Sequence, residues 1–270
     1  MVLPVGDVNP TRRRAWITGA VLLANLVVHL AVQLPLEGCE AQAFVYRYGV
    51  VPRELWTWAP LGSVELEQLL GPCAEQVVGT KSVPLSLLTS MFLHGGLGHL
   101  VGNLLFLWVF GNNVEDRLGH ARFVVFYLAG GVAATGVFAA VQPTTIVPLL
   151  GASGAIAAIL GAYLLLHPRA QVLVYAPFPI YLLAFVVPSA RLRSWWVLFA
   201  IITLPAWLLL GGWFALQALS ARDTLADGVA YEAHLGGFVA GILLLLVLDR
   251  GRRRRGRPPL HPARPSGRRR

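Results

Sequence analysis

The chain has 270 residues, of which 56% are hydrophobic and only 13% charged, and its formal net charge is +9. A soluble domain this apolar would lack the polar side chains needed to cover its surface, so the composition excludes an ordinary soluble protein and indicates a multi-pass membrane protein. Most of the net charge comes from ten arginines between Arg250 and Arg270.

Uncharged stretches, taken in chain order, predict an all-α membrane protein, since about 20 mostly apolar residues suffice to cross a bilayer as a helix. The longest stretch, 123–168, is long enough for two spans separated by a polar, Pro-containing break at 142–148. We predict six transmembrane helices, at 15–35, 90–112, 121–141, 151–167, 195–216 and 229–248.

The arginines next to these spans predict their orientation. With six spans both termini lie on one side, and the basic clusters all fall on that side, so we predict cytoplasmic termini. The chain then divides into a cytoplasmic segment 1–14, a membrane domain 15–250 with a long external loop 36–82, and a disordered tail 251–270. Because the basic tail follows a span, we expect it to contact anionic lipid rather than nucleic acid.

Two features leave alternatives open. The apolar segment 172–188 would be a seventh span only if the arginine tail lay outside, and Pro177 and Pro179 interrupt it, so we interpret it as interfacial or re-entrant. Cys39 and Cys73 both lie in the external loop, where they either form a disulfide or stay as two free thiols.

A few polar side chains lie within the predicted spans, where such groups are costly and are therefore functional candidates. Span two contains His94, His99 and Asn103, and the last two are four residues apart on one helix face. Ser153 opens span four, and span six contains His234 early in its length. Because these three spans run in the same direction, His99, Ser153 and His234 are predicted at similar depth, near the external third of the bilayer. The alternative is ordinary hydrogen bonding between helices.

Small residues predict that spans four and six approach closely, because a lack of side chains lets two backbones touch. The two lines of residues are Ser153, Ala157 and Gly161 on span four, and His234, Gly237 and Gly241 on span six. Packing alone would produce the same pattern.

These residue types suit acyl transfer. A serine hydroxyl needs a base to take its proton, and the neutral imidazole of His234 fits that role. The oxyanion needs donors, which the helix N-terminus at Ser153 and the side chains of His99 and Asn103 can supply. Glu232 would lie on nearly the opposite face of the helix from the imidazole, so the prediction is a Ser–His dyad without a carboxylate.

The stretches "HGGLGHLVGNLLFLWVFGNNVEDRLG", "GASGAI" and "AHLGGFVAG", in this order, resemble the rhomboid family of intramembrane serine proteases over about residues 84–250. The resemblance implies a six-helix bundle with a water-filled cavity open to the outside, and cleavage of transmembrane proteins near the external end of a helix. It also implies that Ser153 is the nucleophile and His234 the general base, with an oxyanion hole of His99, Asn103 and the Ser153 N–H.

The resemblance extends to neighbouring residues. It implies a supporting role for His94 in the first loop and a structural role for Glu115. Gly151 and Gly154 belong to the GxSG motif around the serine.

Two positions depart from the family pattern. Leu85 and Ser86 stand where many members have Trp-Arg, so the external loop is expected to be anchored by its two cysteines or by Trp56 and Trp58. Ala157 stands where many members place an aromatic residue beneath the imidazole, so another group must orient the histidine.

An active protease is the leading hypothesis, and a non-catalytic rhomboid-like protein that binds transmembrane helices is the alternative. The absence of an HExxH motif and of an intramembrane aspartate pair excludes other intramembrane protease classes. We expect no cofactor and no metal. Transmembrane proteins and membrane lipids are the expected partners, and a bacterial cytoplasmic membrane is the expected location.

Overall fold

The structure is a computed structural model that describes residues 3–77, 79–175, 201–221 and 228–249. The arginine-rich tail and most of the segment 172–188 lie outside the described residues. Within the described ranges the chain is mostly helical and contains a three-stranded sheet.

The helices up to Thr89 that follow α1 are short, and most of the later ones are longer and apolar. In chain order the elements are β1 (Leu3–Asp7), α1 (Trp16–Val27), α2 (Gly38–Tyr48), α3 (Pro52–Thr57), α4 (Ser63–Leu70), α5 (Val83–Thr89), α6 (Leu97–Leu118), α7 (His120–Val141), α8 (Ser153–Leu166), β2 (Gln171–Tyr175), β3 (Ile201–Pro205), α9 (Ala206–Ser220) and α10 (Tyr231–Leu248). A π-helical turn, Val28–Gln33, extends α1, and 3₁₀ turns at Gly71–Gln76 and Ser90–Phe92 follow α4 and α5.

Among the residues described, three helices are long and apolar enough to cross a membrane, namely α1 with its π-helical extension, α7 and α10. The pair formed by α5 with its 3₁₀ turn and α6 is bent by 81° and would be a fourth span if counted together, while α8 and α9 are shorter apolar helices. These helices support an integral membrane protein. The count of six spans stays a prediction.

The central helix of the bundle is α8. Every residue from Ala155 to Tyr163 is buried, and α6, α7, α9 and α10 all contact this helix. A helix that is apolar on all sides is expected at such a position, because no face of it meets a polar environment.

The predicted second span is wrong at its N-terminal end. The chain turns between Phe92 and Leu97, and the long helix begins at Leu97 rather than at residue 90. Gly95 and Gly96 occupy the break, where glycine disfavours a continuous helix. His94 therefore lies in the connection before α6 and not within the span.

The described chain is mostly helical, as expected, but the all-α expectation did not include the antiparallel sheet that β1, β2 and β3 form in that order. The predicted fifth span, 195–216, is corrected at its start, since Ile201–Pro205 is a strand and α9 begins at Ala206. Val172 and Val174 are fully buried in β2. A short apolar run does not distinguish strand from helix by periodicity, and the partner strand from residues 3–7 is distant in sequence.

The buried carboxylate of Glu115 fastens α1 to α6. Ala15 precedes α1 and has no side chain to cap it, so the first N–H groups need an acceptor from elsewhere. Glu115 accepts the N–H of Ile17 at 3.0 Å, and the N–H and hydroxyl of Thr18 at 2.7 Å each. The Nδ1 atom of His120 lies 2.6 Å from the same carboxylate. A negative charge at a helix N-terminus is favourable, so this carboxylate serves as the cap of α1.

The loop 36–82 is held to the bundle and to itself by several contacts. A disulfide joins Cys39 in α2 to Cys73 in the turn after α4. The indole N–H of Trp56 donates to the carbonyl of Ala139 in α7 at 2.9 Å. Trp58, the other expected anchor, is exposed.

A buried ion pair lies in the centre of this loop. The Nζ atom of Lys81 lies 2.6 Å from Glu54, whose other carboxylate oxygen accepts the hydroxyl of Tyr46 at 2.9 Å and the N–H of Leu61 at 3.0 Å. Burial lowers the pKa of the Lys81 ammonium, and the neighbouring Glu54 carboxylate opposes that shift. Each charge therefore depends on the other for its compensation.

Lys81→Met should destabilise the protein by about 3–5 kcal/mol, because it leaves the Glu54 carboxylate buried without its cation. The double variant Glu54→Gln/Lys81→Met should recover most of that loss, since the glutamine keeps an acceptor for Tyr46 without a charge. Free energies of unfolding in detergent micelles measure both effects. Equal stability of the single and double variants would contradict this account of the loop.

Candidate active site

Ser153 is the first residue of α8, directly after a turn that requires glycine. Gly151 has a φ of +127°, and a β-carbon built on it would lie 2.8 Å from the His99 ring. Its N–H donates to the carbonyl of Ser90 at 2.9 Å, which holds the turn against the segment before α6. Ala152 provides no side-chain cap, so the N–H groups of the first turn beginning at Ser153 lack partners within the helix.

One cavity of about 680 Å³ brings together Ser153, His234, His99 and Asn103. Its other lining residues include Gln217 but no Asp, Glu, Lys or Arg among those the structure describes. The cavity is therefore without formal charge, and its mostly apolar wall carries a hydroxyl, two imidazoles and two amides.

The helices α8 and α10 make the close contact that their small residues predict. A β-carbon added to Gly237 would lie 2.3 Å from the carbonyl oxygen of Gly154, and one added to Gly241 would lie 2.0 Å from that of Ala158. On the other helix, Gly161 leaves a similar space against the carbonyl of Phe238, at 2.1 Å. Backbone meets backbone along this contact, with no side chain between.

The imidazole of His234 is held from α9. Its Nδ1 atom lies 2.9 Å from the amide oxygen of Gln217, and its ring centroid lies 5.9 Å from that of Trp213. These two residues are four apart and share one face of α9. They supply the support that Ala157 does not provide from α8.

The sequence reasoning missed Gln217, although a signal was present. It is the one amide side chain in the otherwise apolar helix "AWLLLGGWFALQALS". A polar side chain at membrane depth is a functional candidate.

Asn103 presents an unpaired donor to the cavity. The residue is 8% exposed, and in the described part of the chain no acceptor lies within hydrogen-bond distance of its Nδ2 atom. His99 lies one turn earlier on α6, where its Nδ1 atom faces the N–H of Gly95 at 3.5 Å. Donors on one helix face that point into a shared cavity suit the binding of a developing negative charge.

His94 lies behind the cavity rather than in its wall. Its ring is buried, with its centroid 5.2 Å from that of His99 and 6.2 Å from that of His29. The side chain of Gln33 forms two hydrogen bonds with the backbone of His94. Its amide oxygen accepts the His94 N–H at 2.9 Å, and its amide nitrogen donates to the His94 carbonyl at 3.1 Å. His29 and Gln33 were not singled out in the sequence, although both are polar and lie near the end of the first predicted span.

The position of Glu232 on α10, nearly opposite His234, predicts that it does not contact the imidazole, and no hydrogen bond joins them among the described residues. Glu232 accepts a hydrogen bond from the side chain of Gln142 at 3.2 Å, at the end of α7. The other residue assigned a structural role, Glu115, caps α1 and does not line the cavity.

Gly241→Ala should destabilise the protein by about 1–3 kcal/mol, because the added methyl group meets a carbonyl oxygen of α8 and α10 must move. Gly212→Ala is the matched control, since a β-carbon there meets nothing within 4 Å. The control should keep or raise the free energy of unfolding. If both variants unfolded at the wild-type midpoint, the α8–α10 contact would be looser than described.

Comparisons with known proteins give rhomboid relatives. Residues 81–251 match the Rhomboid domain family. The chain is 29% identical over 169 residues to Rhomboid protein 1, mitochondrial, of Saccharomyces cerevisiae, covering 59% of this chain and 40% of that protein. It is 32% identical over 163 residues to the presenilin-associated rhomboid-like protein, mitochondrial, of Bos taurus, covering 58% and 36%.

A bacterial relative matches a shorter region. The chain is 44% identical over 78 residues to Rhomboid protease GluP of Bacillus subtilis, covering 29% of this chain and 15% of that protein. The chain thus spans 40% or less of the length of these relatives. The two longer matches are mitochondrial proteins and do not support the expectation of a bacterial cytoplasmic membrane.

Proposed function

Because the chain belongs to the rhomboid domain family, we propose that it is an intramembrane serine endopeptidase that cleaves transmembrane proteins near the external membrane face. One observation carries the proposal, namely that Ser153, His234, His99 and Asn103 line a single cavity. These side chains come from three helices that are distant in sequence, so local structure does not explain their meeting.

The proposed reaction begins with attack by the hydroxyl oxygen of Ser153 on a peptide carbonyl carbon of the substrate. The hydroxyl proton passes to Nε2 of His234 as the new C–O bond forms. The oxyanion that results accepts hydrogen bonds from the Ser153 N–H and from the side chains of His99 and Asn103.

The C–N bond then breaks as the imidazolium passes its proton to the leaving amine, which leaves Ser153 as an acyl ester. A water molecule attacks this ester while His234 takes a proton from the water. The imidazolium gives that proton to the serine oxygen as the ester C–O bond breaks, and the carboxylic acid product is released.

The length of α8 supports a site near the external face. Its 14 residues rise about 21 Å, which is less than the roughly 30 Å hydrocarbon core. With its C-terminal end at the inner boundary, the helix begins about 9 Å short of the outer boundary. Ser153 then lies only a few residues deep, where a polar cavity can admit water.

We propose a topology of six spans with cytoplasmic termini, in which α8 and α9 cross the membrane together with the four longer candidates. The sheet of β1, β2 and β3 then lies on the cytoplasmic side, and the long loop with the disulfide lies outside. The proposed partners are transmembrane proteins as substrates and anionic lipid at the arginine-rich tail.

Ser153→Ala and His234→Ala should each abolish cleavage of single-span membrane proteins, because one lacks the nucleophile and the other lacks its base. The measurement is cleavage of a panel of such proteins by purified wild type and variants, with thermal unfolding to verify that each variant is folded. Cleavage by Ser153→Ala at the wild-type rate would rule out the proposed mechanism.

Loss of one oxyanion donor should be less severe. His99→Ala and Asn103→Ala should lower kcat by about 10²–10³. Asn112→Ala is the matched control, since Asn112 lies on the same helix but outside the cavity, and it should keep the wild-type kcat.

A fluorophosphonate probe distinguishes the protease from a non-catalytic protein that binds transmembrane helices. An activated Ser153 should become labelled in the wild type and not in Ser153→Ala. Binding of helices without labelling and without cleavage would identify the protein as non-catalytic.

A further inference from the structure

We propose that Gln217 is the positioning residue for His234, acting as a neutral third member of a Ser–His–Gln arrangement. This inference rests on the proposed function of Ser153 and His234. The observation that carries it is the contact of 2.9 Å between the amide oxygen of Gln217 and Nδ1 of the imidazole.

The proposal assigns the proton of the neutral ring to one nitrogen. An amide oxygen only accepts hydrogen bonds, so under this proposal Nδ1 carries the proton and donates it to Gln217. Nε2 is then left with a free lone pair. A general base for Ser153 needs its lone pair on the nitrogen that faces the hydroxyl, and the opposite tautomer would be unable to take the proton.

Two residues of α9 act on the ring in different ways. Gln217 fixes its rotation through a directional hydrogen bond, and Trp213 limits its movement through an inclined ring contact with 35° between the ring planes. From α8, the position one turn after the serine is Ala157, which is too small to support the ring. Orientation of the imidazole therefore depends on α9.

A neutral acceptor suits this site better than a carboxylate. The ring is enclosed by apolar helices, and the cavity has no cation among its described lining residues to compensate an anion. A buried carboxylate without such a partner is costly. The amide oxygen provides the same directional acceptor without that cost. The hydrogen bond becomes stronger when the ring becomes an imidazolium, because its donor is then charged.

The test compares two replacements of similar size. Gln217→Met removes the acceptor but suits an apolar helix, whereas Gln217→Glu keeps an acceptor oxygen in either protonation state but is poorly tolerated in a membrane span. A merely structural role for Gln217 predicts that methionine is the milder change. The positioning role predicts the reverse order of activity.

Gln217→Met should lower kcat about 10–100-fold with KM within about twofold of wild type, by analogy with the loss of residues that orient metal-binding histidines. Gln217→Glu should keep kcat within about tenfold of wild type. Labelling of Ser153 by the fluorophosphonate probe should slow in the same order. Wild-type kcat in Gln217→Met, or equal loss in both variants, would overturn the proposal.

Gln142→Met is the matched control, because the Gln142 side chain also forms a hydrogen bond with a residue of α10, here as the donor to Glu232, but lies outside the cavity. It should keep the wild-type kcat. A tenfold loss in this variant would mean that losing any amide contact to α10 lowers activity, and would overturn the specific role of Gln217.

A second measurement uses the wild-type chain and does not depend on variants that fold. In ¹⁵N-histidine NMR spectra, the signals absent from His234→Ala identify this ring, and they should show a proton on Nδ1. A proton on Nε2 would overturn the proposal. Cleavage that is lost in Ser153→Ala would still support the protease, so the two proposals fail separately.

Discussion

The contact between the backbones of α8 and α10 is the constraint on which the rest of the site depends. At three glycines, a carbonyl oxygen of the opposite helix occupies the space that a side chain would need; these are Gly161, Gly237 and Gly241. Because no flexible side chain separates the two backbones at these glycines, neither helix can move towards the other without a clash. The contact therefore also limits the distance between the serine at the start of α8 and the histidine near the start of α10. A reaction between two side chains requires such defined positions.

The regions on either side of this contact are held by different interactions. Small residues pack at the centre, where polar groups are costly, whereas charged groups act at the ends of the helices. Glu115 caps α1 near one end, and the pair of Glu54 and Lys81 lies within the loop near the other. The middle of the bundle therefore contains few polar side chains, and the cavity brings several of them together.

Features that depend on local spacing were predictable from the sequence, and features that depend on distant partners were not. The glycine lines on α8 and α10 follow helical periodicity, which is why their contact could be expected. The sheet needs residues 3–7 to meet Gln171–Tyr175, and no local pattern reports such a pairing. The bend before α6 arises at two glycines inside an uncharged run, and hydropathy alone does not detect it. Gln217 was overlooked because it is isolated in its helix and only tertiary packing brings it to the imidazole.

The cap of α1 by Glu115 has a consequence for the order of synthesis. The acceptor follows its donors by 97 and 98 residues, so α1 leaves the ribosome well before the carboxylate that completes it has been made. During that interval the N–H groups of Ile17 and Thr18 lack the acceptor that they have in the folded protein. The cap of α1 can therefore form only once α6 has been made, so the first long helix of the described chain depends on a later one for its N-terminal hydrogen bonds.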